Sequence, residues 1–404
     1  MFERMMKILR PAGKKSIGYL FGLGRAGAIG KDFRSQAEDG YGANVQVYAC
    51  VNMIASACSG ISWNLYRRQG DAVQEVYEHR IIDLMHHPNP WQGWARFLKI
   101  NVAYLILSGN AYIYANGPDR GPPAELLLLR PDRVSPIVGN STRPVAGWRY
   151  VAGGTAKTLP TERVLHLALF NPLNDIIGMS PIESAAYSIL TGNRAKTWNL
   201  ALLDNGARPM GALTSETNLT DDQIGRLRNE FETKYAGVRG AGKPIVLEGG
   251  MKWQEMGLSP ADMSWLESQQ LSAREIATAF GVAPELIGDT SNRTYSNWRE
   301  ARKAFYMETI LPLMDWIRDE LNNWLVPMYS DSGLYVEYDR DDIDALQEDR
   351  DALWARITNA AYLTINEKRE ACGYEAIEDG DVILVPLTSM PTDARPAKGN
   401  QDGG

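Results

Sequence analysis

The segment that most resembles a ligand-binding motif is GVRGAGKP, residues 237–244. It matches the G-x-x-x-x-G-K pattern of phosphate-binding loops, but Pro244 stands where such a loop has the Ser or Thr that holds Mg²⁺. A phosphate loop also follows a strand and begins a helix, whereas here a helix is predicted before the segment and a strand after it. We therefore predict a glycine-rich turn, and nucleotide binding is disfavoured.

The histidines and cysteines lack the spacing of a catalytic or metal site. Cys50 and Cys58 lie eight residues apart on the apolar face of one predicted helix, which favours packing in a core. The pair His86 and His87 comes at a helix end before proline, which favours capping and helix-dipole roles. We expect no metal, no cofactor and no enzymatic activity, and the cysteine usage indicates a reducing compartment such as cytoplasm.

A second segment, GDTSNRTYSN at residues 288–297, is small and polar and precedes the longest predicted helix. Arg293 stands at its centre, flanked by Asn292, Thr294 and Asn297. These side chains are able to donate hydrogen bonds to phosphate oxygens. Alternatively, Asn292, Thr294 or Asn297 caps the helix that follows, a role for which Ser296 and Asn297 are well suited. For Arg293 the alternatives are a phosphate contact and an ion pair with a neighbouring subunit. The segment lacks the lysine and the preceding strand of a phosphate cradle.

Hydrophobic periodicity predicts the elements that position these segments. Residues 43–178 form a mixed α+β module whose first helix is capped by Asn44. Two long helices, 181–205 and 260–280, flank a small β-rich insertion. The helix at 296–326 contains Pro312, which removes a hydrogen bond and crowds the preceding turn at a cost of about 3 kcal/mol unless the helix kinks. We predict a kink at Pro312. The fold class is α+β.

Charge is distributed unevenly along the 404 residues, whose net charge is −7. Residues 1–42 carry eight Lys/Arg against four Asp/Glu, and residues 331–381 carry five against fifteen. A protein that grips duplex DNA tightly is basic over a broad face, so any DNA contact here is expected to be weak and independent of sequence. No apolar run reaches the ~18 residues of a membrane span, and no membrane association is expected.

Several segments, taken together and in order, resemble the portal proteins of tailed bacteriophages, in particular the HK97-like portal family. No single motif is diagnostic, but the ordered set is specific and extends over roughly residues 43–386. The segments are VYACVNMIASACSGISWNLYRR (47–68), HHPNPWQGWARFLKINVAYLILSGNAYIY (86–114), LLLLRPDRVSPIV (126–138), GMSPIESAAYSI (178–189), NGARPMGALT (205–214), GKPIVLEGGMKWQEMGLSPADMSWLE (242–267), REIATAFGVAPELIGD (274–289), TYSNWREARKAFYMETILPLM (294–314) and YLTINEKREACGYEAIEDGDVILVP (362–386).

The resemblance implies a portal fold and a homo-oligomeric ring, expected to have twelve subunits, at one vertex of a virus capsid. Double-stranded DNA passes through such a ring during packaging and ejection. The implied partners are the large terminase subunit (a separate ATPase), the head-tail adaptor and the major capsid protein, and the virion is assembled in the host cytoplasm. The alternatives are a ring-forming connector or capsid component that does not pass DNA, and a nucleotide-driven enzyme.

The resemblance also implies a domain layout and two candidate contact sites. Asn292, Arg293, Thr294 and Asn297 are the candidates for a DNA-facing tunnel loop. In the clip, the candidates for terminase or adaptor contact are Glu232, Lys234 and Arg239, for which an ordinary solvated surface is the alternative. Over the matched region the layout is wing (43–180), first stem helix (181–206), clip (207–258), second stem helix (259–281), tunnel loop (282–295), long kinked wing helix (296–330) and acidic crown region (331–386). The resemblance does not extend to the two ends, where the residues themselves predict a basic, mobile N-terminal arm (1–42) and a disordered tail (387–404).

Overall fold

The protein is described here from a computed structural model. It divides into two units, Met1–Tyr338 and Asp339–Gly404. The structure describes residues 32–70, 72–118, 120–204, 211–214, 220, 222–226, 229, 252–255, 265–289, 294–372, 374 and 376–384.

Helices and antiparallel strands are both present, as the predicted α+β class requires. The principal helices are α1 (Phe33–Ser35), α2 (Val45–Ser59), α3 (Arg80–His86), α4 (Trp94–Ser108), α5 (Pro181–Ser184), α6 (Ala186–Asp204), α7 (Trp265–Ala279), α8 (Tyr295–Ala304), α9 (Leu311–Trp324), α10 (Asp344–Thr358) and α11 (Ile365–Ala371). The strands are β1 (Trp63–Gln69), β2 (Ala72–Glu75), β3 (Asn110–Asn116), β4 (Glu125–Leu129), β5 (Val134–Val138), β6 (Val145–Ala152), β7 (Thr155–Leu159), β8 (Val164–Ala168), β9 (Gly211–Thr214), β10 (Lys252–Glu255) and β11 (Leu334–Tyr338).

The strands form small antiparallel sheets with the orders β11-β1-β2, β4-β3-β8, β5-β6-β7 and β10-β9. Strand β3 lies between β4 and β8, and its Tyr112 stands opposite Leu129 on one side and His166 on the other. A buried cluster joins this sheet to β5-β6-β7, because Tyr112 packs with Val134, Trp148 and Leu159. The apolar faces of the two sheets thus share one core.

The N-terminal helices confirm the predicted cap. The side chain of Asn44 accepts hydrogen bonds from the backbone N–H groups of Gln46 and Val47, at 3.1 and 3.2 Å, and α2 follows directly. Helix α2 packs against α4. Cys50 and Cys58 are fully buried between apolar neighbours, and burial raises the pKa of both thiols to about 12. Their predicted role in core packing is confirmed.

The predicted mobile arm at 1–42 is wrong for its last residues. Residues 33–42 form α1 and a π-helical segment, Gln36–Gly42, that leads into α2. The side chain of Gln36 is 1% exposed and donates to the Glu183 carboxylate at 3.4 Å, and a Cβ at Gly40 would contact Ile182. These tertiary contacts hold residues that the charge count alone assigned to the arm. Residues 1–31 lie outside the described part.

The boundary of the predicted acidic crown region, 331–386, also differs from the structure. Residues 334–338 form β11, which pairs with β1 in the first unit, and the second unit begins only at Asp339. Leu334, Val336 and Tyr338 alternate with exposed or half-buried residues, and this alternation is typical of a strand. In the second unit α11 begins with a capping box formed by Thr364 and Glu367. At 381–384 the backbone is irregular.

The outer edge of β11 is closed by one side chain of α9. The amide of Asn322 donates to the carbonyl of Val336 at 2.8 Å and accepts from its N–H at 2.7 Å. The side chain therefore occupies the backbone groups that another strand would use. Arg318 on the same helix binds Glu337 of β11 as well as Asp315 and Asp319.

Replacing Asn322 with alanine is expected to lower the stability of the isolated subunit by roughly 1–3 kcal/mol, because the N–H and C=O of Val336, a buried residue, lose their partner. The measurement is the shift in the thermal unfolding midpoint. Asn323→Ala is the matched control, since its side chain is exposed on the same helix. Equal midpoints for the two variants would contradict the role given to Asn322.

The first predicted stem helix, 181–206, is divided into two helices by Ala185. Ala185 has φ −86 and ψ 3 and so leaves the helical conformation between α5 and α6. The short α5 is fixed separately, because Ser180 caps it and donates its hydroxyl to the carbonyl of Ile106, while Ile182 is fully buried. Helix α6 packs instead against α7.

Candidate nucleic-acid interface

The predicted tunnel loop connects the end of α7 to the start of α8. Helix α7 ends at Ala279, Gly281 follows with a φ of +67 that favours glycine, and a 3-10 turn comes next at Pro284–Ile287. Arg274 on α7 binds Asp289 at 2.6 Å. This hydrogen bond, with the negative charge of Asp289, raises the pKa of Arg274. The loop is thus fixed to the helix before it as far as Asp289.

Of the four candidate DNA-facing residues, the structure describes two, Thr294 and Asn297. Asn292 and Arg293 lie outside the described residues. Thr294 is the N-cap of α8, and its hydroxyl accepts the backbone N–H of Asn297 at 3.2 Å. Of the predicted cap residues Thr294 is confirmed, whereas Ser296 and Asn297 are not caps because both lie within the first turn of α8. The helix starts one residue earlier than expected, at Tyr295.

Helix α8 carries a cationic and aromatic surface that the sequence prediction did not include. The guanidinium of Arg299 lies 5.8 Å from the ring centre of Tyr295, and that of Arg302 lies 5.6 Å from the ring centre of Trp298. Both pairs have the i, i+4 spacing that brings side chains together on one helix face, so the signal was present in the sequence. Lys303 adds a third cation against one acid, Glu300. Guanidinium groups held against aromatic rings suit contact with phosphates.

The helix that contains Pro312 changes its helical type rather than continuing as one regular α-helix. A π-helical segment, Phe305–Ile310, separates α8 from α9, and the N–H of Leu311 donates to the carbonyl of Tyr306, five residues earlier. Pro312 lies in the first turn of α9, where it has no N–H and its ring opposes the carbonyl four residues before it. The wider turn accommodates this loss of α-helical bonding, so the irregularity precedes Pro312.

The π-helical segment also shifts the buried stripe of this long helix. Phe305 and Ile310 are both buried although they are five residues apart, and the stripe continues through Met314, Ile317 and Leu321. Leu313, which precedes Met314, is only half-buried. A regular 3.6-residue period does not place Phe305 and Ile310 on one face, and the longer turn does.

The predicted clip is described in part only. Strands β9 and β10 pair antiparallel, with Ala212 opposite Gln254. The candidate contact residues Glu232, Lys234 and Arg239 lie outside the described residues, as does the GVRGAGKP turn.

His166 and His79 both have structural roles. His166 stacks on Tyr112 and contacts the edge of Trp148, with ring centres 4.5 and 4.7 Å apart, and burial lowers its pKa to about 4. His79 caps α3 through Nδ1 and lies 2.9 Å from Asp331.

In the part of the chain that the structure describes, no three His, Cys, Asp or Glu side chains form a group able to hold a metal ion. Within the same part, no helix has the length and apolarity needed to cross a bilayer.

The fold and the candidate site define a class of protein. It is a mixed α+β protein in which a polar loop leads into a helix with a cationic and aromatic surface, an arrangement suited to contact with a polyanion. A family model described as phage portal protein matches residues 45–373. The chain therefore belongs to the phage portal protein family, and the resemblance to HK97-like portal proteins is confirmed.

Similar proteins agree with this assignment. The chain is 38% identical over 352 residues to a protein of Rickettsia bellii (strain RML369-C), covering 85% of this chain and 90% of the relative. It is 25% identical over 370 residues to the portal protein of Enterobacteria phage HK97, covering 87% and 84% of the two chains. A solved structure, the neck of a native GTA particle computed with C12 symmetry, matches with a TM-score of 0.66 at 35% identity, over 86% of this chain and 94% of that one.

Proposed function

We propose that this protein forms a ring of twelve subunits at one vertex of a virus-like capsid and that double-stranded DNA is packaged and ejected through the ring. The observation that carries the proposal is the structural similarity of this chain to a chain in the neck of a native GTA particle, which was computed with C12 symmetry. The similarity covers 94% of that neck chain. Membership of the portal family supports it. The particle is assembled in the host cytoplasm, and the protein acts without enzymatic activity of its own.

The structural features of the stem and loop support this role. In the proposed layout, α5 to α7 and the β9-β10 sheet belong to the stem and clip, and the segment from Val282 to Thr294 is the tunnel loop. A ring surrounds each subunit with neighbours and leaves no open interface. The surface of α8 and the Arg293 loop then supply a few cations per subunit, repeated around the channel. Such contacts hold phosphates weakly and without regard to sequence, so that DNA can slide.

The proposed partners follow from the two ends of the ring. The clip, with Glu232, Lys234 and Arg239, is proposed to contact the large terminase subunit during packaging and the head-tail adaptor afterwards. The wing and crown region are proposed to contact the major capsid protein. Electron microscopy of the purified protein and of particles along their axis tests the ring: closed rings with a duplex-wide channel containing DNA are expected. Rings that exclude DNA would instead support a connector without a translocation role.

Arg293→Ala is expected to reduce the yield of DNA-filled particles several-fold, because each of the repeated subunits loses a positive charge near the channel axis. The yield is measured in an infection or packaging assay as protected DNA per particle. Arg143→Ala is the matched control, since this arginine is 77% exposed and forms a long, 3.8 Å ion pair far along the chain from the loop. An unchanged yield for Arg293→Ala would remove Arg293 from the mechanism.

A further inference from the structure

Thr309 joins the π-helical segment to the end of α7. Its hydroxyl donates to the carbonyl of Gly281 at 2.6 Å, and Thr309 lies within Phe305–Ile310. The approach is close, because a Cβ at Gly281 would lie 2.9 Å from the Thr309 hydroxyl oxygen. Gly281 also has φ +67, the conformation that ends α7. The end of one helix and the irregular turn of another therefore meet through one hydrogen bond.

The Thr309 hydroxyl donates to a carbonyl outside its own helix. In an α-helix the threonine hydroxyl commonly binds the carbonyl three or four residues earlier on its own helix. Here it points to a different element and is only partly shielded from solvent. Thr309 is thus not a buried packing residue. Its contact with Gly281 instead sets the position of the π-helical turn relative to α7.

The helical type of this segment determines the direction of α8. Helix α9 is fixed by its buried residues Met314, Ile317 and Leu321. An α-helix advances about 100° and 1.5 Å per residue. If the π-helical turn became α-helical while α9 stayed packed, absorbing one residue would rotate α8 by about 100° around its axis. Tyr295 and Arg299 would then face a different direction.

We propose that Thr309 is a positioning residue: its hydrogen bond to Gly281 keeps Phe305–Ile310 π-helical and so fixes the direction in which α8 faces the channel. The inference rests on the proposed function for its consequence, but the helical register can be measured without DNA. Pro312 also favours the π-helical turn, because the segment before it cannot form all of its α-helical hydrogen bonds. Thr309 adds the coupling to α7.

The test compares Thr309→Val, which keeps the shape but removes the hydroxyl, with Thr309→Ser, which keeps the hydroxyl. For Thr309→Val we expect amide hydrogen exchange at Tyr306–Leu311 to rise at least tenfold and the rotation of α8 to be visible in an electron-microscopy map of the assembled ring. We expect the yield of DNA-filled particles to fall several-fold. Thr309→Ser is expected to behave as the unmodified protein in all three measurements.

Thr278→Val is the control, because its hydroxyl bonds within α7, to the carbonyl of Arg274 at 2.9 Å. It is expected to leave exchange at Tyr306–Leu311 unchanged. Unchanged exchange and an unchanged register in Thr309→Val would overturn the proposal, as would equal loss in the valine and serine variants. A changed register with normal rings, together with an unaffected yield in both Thr309→Val and Arg293→Ala, would refute the proposed DNA contact while leaving the positioning role supported.

Discussion

Replacing Gly178 with alanine is expected to prevent the formation of a stable subunit. A Cβ at this position would overlap the carbonyl oxygen of Gly109 and lie 2.7 and 2.8 Å from the backbone N and O of Leu169. All three atoms belong to the backbone, and Leu169 is itself bound to Gly109 through a 2.8 Å hydrogen bond. No flexible side chain is available to move away, so we expect a cost of about 3 kcal/mol or more.

The same junction is held by the buried amide of Asn110. Its oxygen accepts the N–H of Gly178 at 2.8 Å, and its nitrogen donates to the carbonyls of Gly178 and Ser108, at 3.2 and 2.8 Å. Two residues beyond Gly178, Ser180 caps α5 and binds α4. In the proposed layout this junction connects the wing to the stem. A distorted backbone at this junction would therefore change the direction of the proposed stem helices and also destabilise the sheet that contains Asn110.

The yield of soluble subunit and its thermal unfolding midpoint measure the effect of Gly178→Ala. Gly225→Ala is a suitable control because Gly225 lies in a helical segment and a Cβ there meets nothing within 4 Å. We expect this control to be neutral or more stable by up to about 1 kcal/mol, as for glycine to alanine in a helix. A Gly178→Ala subunit as stable as the unmodified one would contradict the steric argument.

Much of the fold was predictable because its signals are local. The cap at Asn44 and the stop at Gly281 depend on residues within one helical turn of each other, and strand β1 on its own run of residues. The cation–aromatic pairs of α8 are equally local, since Tyr295 and Arg299 are four residues apart. The pattern of these pairs is therefore present in the sequence itself, although the predicted site lay only in the polar loop before the helix.

The remaining features depend on contacts between distant residues. The π-helical turn is tied to Gly281 by Thr309, and β11 is held at its edge by Asn322. The helical segment at 33–42 depends on Glu183 and Ile182, about 140 residues away in sequence. No pattern within a short window specifies such partners. The contacts of the candidate loop cannot be predicted from a short window either, because the neighbours proposed to surround Arg293 belong to other subunits.

Acidification is expected to destabilise the subunit through His166. The imidazole is buried against Tyr112 and Trp148, and its Nε2 donates to the oxygen of Asn110 at 3.0 Å. Burial disfavours the charged form and lowers the pKa to about 4, from 6.5. The folded state therefore binds a proton less readily than the unfolded state. The stability contributed by the neutral ring is complete above pH 6.5 and is lost as the pH falls from 6.5 toward 4.

The loss is expected to reach at most about 3 kcal/mol, since each unit of pKa difference corresponds to about 1.4 kcal/mol. His166→Gln keeps an N–H donor for Asn110 but does not titrate, so its unfolding midpoint should fall less between pH 6.5 and 4. His86→Gln, at an exposed position, serves as the control and should follow the unmodified protein. Carboxylates titrate equally in all three proteins, so the difference between their pH profiles isolates His166. Parallel profiles for His166→Gln and the unmodified subunit would show that folding does not lower the pKa of His166, so that the ring is charged in the folded subunit well above pH 4. In that case Asn110 would have to hold a charged ring, and the junction at Gly178 would rest on an ion–dipole contact instead of a neutral hydrogen bond.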